Sequence, residues 1–243
     1  MSNDDDDDDD HVACPFQCLS QEARELYLES HISRIPVPSP LVFYRDYVSR
    51  NRPVIIQGAL DQWSALSKWN TLNYFRDQLG DTPVTIDITP DGYGDCVKLH
   101  KYFVTPVEEK MPFNHFMDII EGKKSFDGIV YCQHQNSSFT TEFQQLNNDI
   151  HELGWVREAF VPWFDHTEND LQEQTYLNPL KITVEPNELL YLPSLWFHSV
   201  EQDSPITIAC NFWYDMEYDI KWNYYQFMSN IIKQQRKSEK KRT

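Results

Sequence analysis

No apolar run in this chain approaches the roughly 20 residues needed to span a bilayer as a helix, so no membrane span is expected. Cations are in short supply. Lys and Arg number 21 against 38 Asp and Glu, a formal charge of -17. Seven of those negative charges form the run Asp4–Asp10, and removing them still leaves -10. Binding to nucleic-acid phosphates needs a basic face, so that class is excluded, and a basic protein segment suits the acidic surface better. The five cysteines follow no disulfide spacing and no signal peptide precedes them. They read as reduced thiols of a cytoplasmic or nuclear protein. Cys14 and Cys18 have the spacing of half a zinc site, but no second pair matches them. The nucleophile elbow Gly-X-Ser-X-Gly is missing, as is the zinc-protease motif His-Glu-X-X-His, which leaves a hydrolase without support.

What the chain does have is material for a core. Hydrophobic residues make up 40% of it and aromatics 14%. A length of 243 residues suits one large domain or two small ones. Residues 1–12 are a self-repelling acidic tail, residues 13–234 the domain, and residues 235–243 a basic tail. Gln21–Ile32 fits a short helix, followed by a Pro-rich extended linker, Ile35 to Pro40. Leu41–Val48 predicts a second helix and Pro53–Ile56 a buried strand ended by Gly58. Trp63–Leu79 carries an apolar helical stripe (Trp69, Leu72, Phe75, Leu79) stopped by Gly80. Val84–Ile88 alternates with period two, as a strand does, and Pro90–Gly94 is a turn. Phe113–Glu121 predicts a helix, Gly128–Gln133 a strand, and Thr141–Phe160 further helix. Residues 161–178 show no period. Short strands are then expected at Leu180–Val184, Glu188–Leu192, Phe197–Glu201 and Thr207–Tyr214, and an aromatic-rich helix at Asp219–Lys233.

The stretch Glu188-Leu-Leu-Tyr-Leu-Pro-Ser-Leu-Trp-Phe-His198, followed by Asn211-Phe-Trp-Tyr-Asp215, carries a specific resemblance. With Asn51–Ala59, Thr89–Tyr93 and Tyr214–Asp219, it resembles the JmjC family of iron(II)/2-oxoglutarate dioxygenases, in its lysyl-hydroxylase branch. The likeness runs from about Leu41 to Met228. It implies an α+β fold: a jelly-roll (double-stranded β-helix, cupin-like) core with N-terminal helices and a C-terminal helix. It also implies Fe(II) and 2-oxoglutarate as cofactors and a lysine in a GTP-binding protein as the substrate. A homodimer through the C-terminal helix is implied as well, and a histone-tail peptidase activity has been claimed for the same branch.

Such enzymes hold iron on one face with two histidines and one carboxylate. His198 matches the distal histidine. Tyr131 and Asn211 match positions close to 2-oxoglutarate. The other two ligands form a His-X-Asp/Glu pair on one strand, where period two aims both side chains inward. None of the eight histidines is followed two residues later by Asp. Only His166-Thr-Glu168 fits the Glu form, and it sits in a polar stretch close before the distal histidine. The family's first ligand pair and its cosubstrate lysine belong between the helical segment ending near Phe160 and Val161-Pro-Trp163. No lysine lies between Lys124 and Lys181. The expectation is therefore an internal gap near 160–161, an incomplete jelly roll and an inactive site. The alternative is a non-catalytic interaction or dimerisation variant, or a truncated splice or gene-model product.

Overall fold

The computed structural model describes residues 21–22, 30–99, 102–133, 138–151, 153, 180–196, 198–204 and 206–239. The chain divides into two units. The larger takes in the described residues up to Leu153 and those from 180 to Trp196, and the smaller those from 198 onward.

In the larger unit, the first sheet has the order β1-β2-β8 (Arg34–Pro36, Val54–Gln57, Glu188–Tyr191). Its centre is the β-branched run expected of a buried strand, with Val54, Ile55 and Ile56 fully enclosed. β8 runs antiparallel to β2, with Ile55 opposite Leu190. The Pro-rich stretch expected as a plain linker contributes β1, parallel to β2. It can do so because it is an edge, where a proline's missing N–H breaks no ladder. Ser39 then caps α1 (Pro40–Phe43), its hydroxyl accepting from the Val42 N–H with Pro40 at the first position. The helix continues as a wider π turn, Tyr44–Val48. Phe43 is buried edge-on against the Tyr191 ring, 4.9 Å between centroids.

The second sheet has the order β6-β3-β7 (Val107–Pro112, Pro83–Thr89, Ile129–Tyr131), all antiparallel. Val84 and Ile86 of β3, Met111 and Val130 form its apolar face. That face packs on Phe75 and Leu79 of α3 (Leu72–Leu79), on Phe113, Phe116 and Met117 of α4 (Phe113–Ile120), and on Leu146. A hairpin of β4 (Cys96–Lys98) and β5 (Tyr102–Val104) leads into β6. α5 (Ser138–Thr141) and a 3-10 segment, Gln144–Asp149, stand at the start of the helix expected over Thr141–Phe160, and residues 154–160 lie outside the described residues.

The helix expected over Trp63–Leu79 is broken into α2 (Ala65–Lys68) and α3, with Thr71 extended between them. The break serves Asp149, a buried carboxylate that gathers donors from both sides of it. It accepts from the Ser64 hydroxyl (3.1 Å), the Lys68 ammonium (2.6 Å), the Trp69 indole N–H (3.0 Å) and the Tyr74 hydroxyl. In the last third, only Glu188–Tyr191 forms a strand among the described residues. Residues 180–184, 198–201 and 207–214 make no ladder. A strand needs a neighbour for its N–H and C=O groups, and β2 supplies one to β8 alone. In the smaller unit Ile206, Ile208 and Phe212 keep the period-two pattern of a strand while lying exposed. The C-terminal helix forms as α6 (Ile220–Glu239), longer than expected, with the Asp219 carboxylate accepting from the Lys221 N–H.

Candidate functional site

The face of the β6-β3-β7 sheet opposite its apolar core is mainly polar, and it is buried along its central strand. Strand pairing sets Glu108, Asp87 and Tyr131 in one row across the three strands, and Lys110 opposite Thr85 in the next. Thr85, Asp87 and Thr89 are buried. In a jelly roll one face of each sheet turns to the helices outside and the other lines the interior. With its apolar face on α3 and α4, this sheet presents Tyr131 on the interior side.

The Tyr131 hydroxyl fits against Gly94. A Cβ at Gly94 would stand 1.9 Å from that oxygen and 3.1 Å from Cγ of Pro106. Burial, followed by the charges of Asp87 and Asp95, pushes the phenol up to about 12. At neutral pH it keeps its proton and is a hydrogen-bond donor suited to an anion such as a carboxylate.

β7 ends at Tyr131, so the ladder partner that Thr85 needs is missing. Glu142 replaces it. Its carboxylate accepts from the Thr85 N–H (2.8 Å) and hydroxyl (2.7 Å), and Lys110 lies 3.3 Å away. Burial raises the Glu142 carboxyl, but the Thr85 bonds and Lys110 outweigh it and hold the group below its ordinary value. The Cys132 thiol points to the Thr85 carbonyl. Burial first, then Glu142 and Asp87, push that thiol up to about 12, so it is no nucleophile at neutral pH.

The turn before His198 is anchored from a distance. The Asn51 side-chain amide donates to the Ser194 carbonyl (3.2 Å), and the Trp196 indole N–H donates to the Asn51 carbonyl (3.0 Å). Asn51 holds φ 53°, a conformation that asparagine tolerates better than most residues. Two stretches that look independent in sequence, the Asn51-Arg-Pro run and the Leu192-to-Trp196 turn, are thus clasped together. Leu195, at φ 67°, makes the tight corner.

Of the residues singled out from sequence, Tyr131 lies in the larger unit on the polar face. His198 and Asn211 lie in the smaller unit, both exposed and outside regular structure. His166, Glu168, Cys14, Cys18 and the Phe160–Val161 junction fall outside the described residues. Among the described residues no group of three His, Cys, Asp or Glu side chains is placed to hold a metal. Of the iron ligands expected from sequence, His198 alone lies among the described residues. Gly94 and Glu142 belong to no motif singled out from sequence, and Asn51 stands in the Asn51–Ala59 stretch with no role in the site assigned to it.

Comparison with known proteins supplies the family. A family model described as a cupin-like domain matches residues 40–169 and 160–220. The human bifunctional peptidase and (3S)-lysyl hydroxylase JMJD7 is 33% identical over 279 positions, covering 81% of this chain and 87% of the human protein. The chain belongs to the cupin-like JmjC family. Its JmjC relatives include JmjC domain-containing protein E of Dictyostelium discoideum, 28% identical over 92% of this chain and 95% of that protein. Lysine-specific demethylase JMJ32 of Arabidopsis thaliana is 26% identical over 88% of this chain and 90% of its own length. The α+β, cupin-like fold class read from sequence agrees with the family match.

The cupin-like match has two pieces that meet and overlap at residues 160–169. The alignment to the human protein also runs longer than the chain beneath it. Since 81% of 243 residues is about 197, about 80 of its 279 positions have no residue of this chain opposite them. Among the described residues, no helix is long and apolar enough to cross a membrane.

Proposed function

We propose that this chain derives from Fe(II)- and 2-oxoglutarate-dependent protein lysyl hydroxylases of the JmjC family and does not itself turn over 2-oxoglutarate. The observation that carries this reading is the break in the family match at residues 160–169. A break there takes away the stretch in which the family keeps its His-X-Asp pair and its cosubstrate lysine. His198 alone is a poor iron site, and outer-shell hydrogen bonds cannot replace missing ligands. Tyr131 keeps the donor that would have met the cosubstrate carboxylate, and His198 the distal ligand. The working form of this protein is then a longer chain, with a basic segment of a GTP-binding protein as its substrate.

The test is succinate release by purified protein supplied with iron(II) and 2-oxoglutarate. The expected result is none above background. Turnover that disappears in His198→Ala would overturn the reading, because it would show that a complete site assembles from the residues present. Transcripts crossing the Phe160–Val161 codons address the gap itself, and reads carrying extra sequence with His-X-Asp are expected.

A second reading, an interaction protein without catalysis, draws support from α6. Ile220, Tyr224, Phe227 and Met228 recur at helical spacing and are all exposed, a stripe suited to a second helix. Homodimerisation through this helix is the form that reading takes. Sedimentation that stays monomeric at high micromolar concentration would remove it.

A further inference from the structure

Strand pairing decides which residues at the edge of a sheet offer their backbone groups outward. The Ile55 N–H donates to the Ser33 carbonyl, so Ile55 faces β1 while its neighbours Val54 and Ile56 face β8. On β8, Leu189 and Tyr191 therefore bond β2, and Glu188 and Leu190 point away from it. On β1 the outward positions are Arg34 and Pro36. In the second sheet the Phe113 N–H donates to the Thr82 carbonyl. The register continued from that pair turns Glu108, Lys110 and Pro112 of β6 outward, and Val130 of β7.

Three of these four edges are closed to a further strand. Pro36 ends the outer row of β1 with no N–H to offer. β6 does the same with Pro112 and adds the charges of Glu108 and Lys110. Val130 is 7% exposed, so the far side of β7 is covered. β8 differs. Its four residues are only half-buried, and no described strand lies on its outer side. Its one charged residue is already satisfied. The Glu188 N–H donates to the Glu185 carbonyl (3.0 Å), and its carboxylate accepts from Arg34 (2.9 Å) and Gln57 (3.0 Å). What remains facing outward is the N–H and carbonyl of Leu190, in an otherwise apolar strand.

We propose that the β8 edges of two copies of this chain pair antiparallel about a two-fold axis at Leu190, joining two three-stranded sheets into one of six. A two-fold interface needs a self-complementary patch, and this strand is one. The Leu190 N–H of each copy donates to the Leu190 carbonyl of the other. The same register sets Leu189 opposite Tyr191 of the other copy, twice, an aliphatic–aromatic pair of the kind that stabilises neighbouring strands. Glu188 falls opposite Leu192 of the other copy, so the two carboxylates do not meet. The pairing uses neither α6 nor any iron ligand, so it stands apart from both readings of function given above.

The experiment combines sedimentation of the full chain over a concentration series with hydrogen exchange read at single amides. A dimer is expected, with the Leu190 amide exchanging more slowly as the dimer fills. The Lys110 amide, on the closed edge of β6, should not respond to concentration. Leu190→Lys and Leu190→Glu place like charges opposite each other across the axis, and each should weaken the dimer by about tenfold, the size of effect that losing a central anchor gives. Mixing the two variants sets lysine opposite glutamate and should restore a mixed dimer. Absence of a dimer overturns the proposal, as does a dimer in which Leu190 exchange ignores concentration. A mixture of folded variants that stays as monomeric as its components also overturns it. If the variants fail to fold, exchange in the parent chain decides. A response at Leu190 that disappears in Tyr224→Ser with Phe227→Ser overturns the edge pairing and assigns the dimer to α6.

Discussion

At the scale of single residues, Gly94 and Tyr131 form a pair in which a missing side chain makes room for a hydroxyl. A methyl group at position 94 would overlap the phenol oxygen. Gly94→Ala should therefore push the Tyr131 ring off its rotamer and cost about 1–3 kcal/mol, the usual range for overpacking. Chemical denaturation would measure the loss. Ultraviolet titration should show one tyrosine moving from about 12 towards its ordinary value as its cover opens. Adding Tyr131→Phe should recover part of the stability, because it removes the oxygen that clashes. Asp149 makes a second prediction at this scale. Burial alone would raise its carboxyl, but Lys68, Tyr74, Trp69 and Ser64 together draw it down to about 2. A carboxyl depressed on folding contributes stability that is present above its unfolded value, near 4, and is lost as pH falls through the folded one. Parent protein should thus lose about 2 kcal/mol between roughly pH 5 and pH 2 through this group. Asp149→Asn should be weaker at neutral pH and flatter across that window. Equal slopes in the two proteins would remove Asp149 from the acid transition.

Among the elements, β3 holds the second sheet together, and Glu142 stands in for the part of β7 that ends early. Glu142→Ala leaves the Thr85 N–H without its carboxylate, a loss of about 1–3 kcal/mol for a buried donor. Hydrogen exchange should show the Thr85 amide opening faster, with the amides paired to β6 less affected. Glu142→Gln, which keeps one acceptor, should fall between parent and alanine. β3 itself was legible from sequence because one face is apolar and the other polar, which gives the period of two. α4 was legible from its apolar turn and the stop at Gly122. What stayed hidden depends on contacts distant in the chain. The break at Thr71 answers to Asp149, nearly eighty residues on. β1 is a strand because β2 runs beside it, and nothing in Arg-Ile-Pro announces that. β6 reads Val-Glu-Glu-Lys-Met-Pro, an edge strand that is exposed at most positions, so its pattern is blurred. The site divides in the same way. The His198 motif and the lack of a His-X-Asp pair are matters of residue order and can be read along the chain. The polar row of Glu108, Asp87 and Tyr131 was not visible, because strand register creates it.

For the molecule as a whole, the distribution of apolar surface is uneven in a way that bears on the proposed gap. The larger unit fully encloses the β-branched residues at the centres of β2 and β3, Val54, Ile55, Ile56, Val84 and Ile86. In the smaller unit Val200 is 85% exposed, Trp213 50% and Phe227 61%, and the strand-like run Ile206, Ile208 and Phe212 has no ladder. A jelly roll deprived of central strands would leave such a run outside any sheet and exposed, and open edges of that kind favour association between chains. The expected behaviour is a protein that binds a hydrophobic dye while native, associates as concentration rises and melts broadly. A longer chain that restores sequence between Phe160 and Val161 should lose the dye signal and gain one cooperative transition near the roughly 45–65 °C of ordinary domains. The comparison is made by calorimetry at matched concentration, because association alone shifts apparent melting. If the present chain already shows a single sharp transition in that range without dye binding, its C-terminal segment is properly covered, and the proposed loss of core strands fails with it.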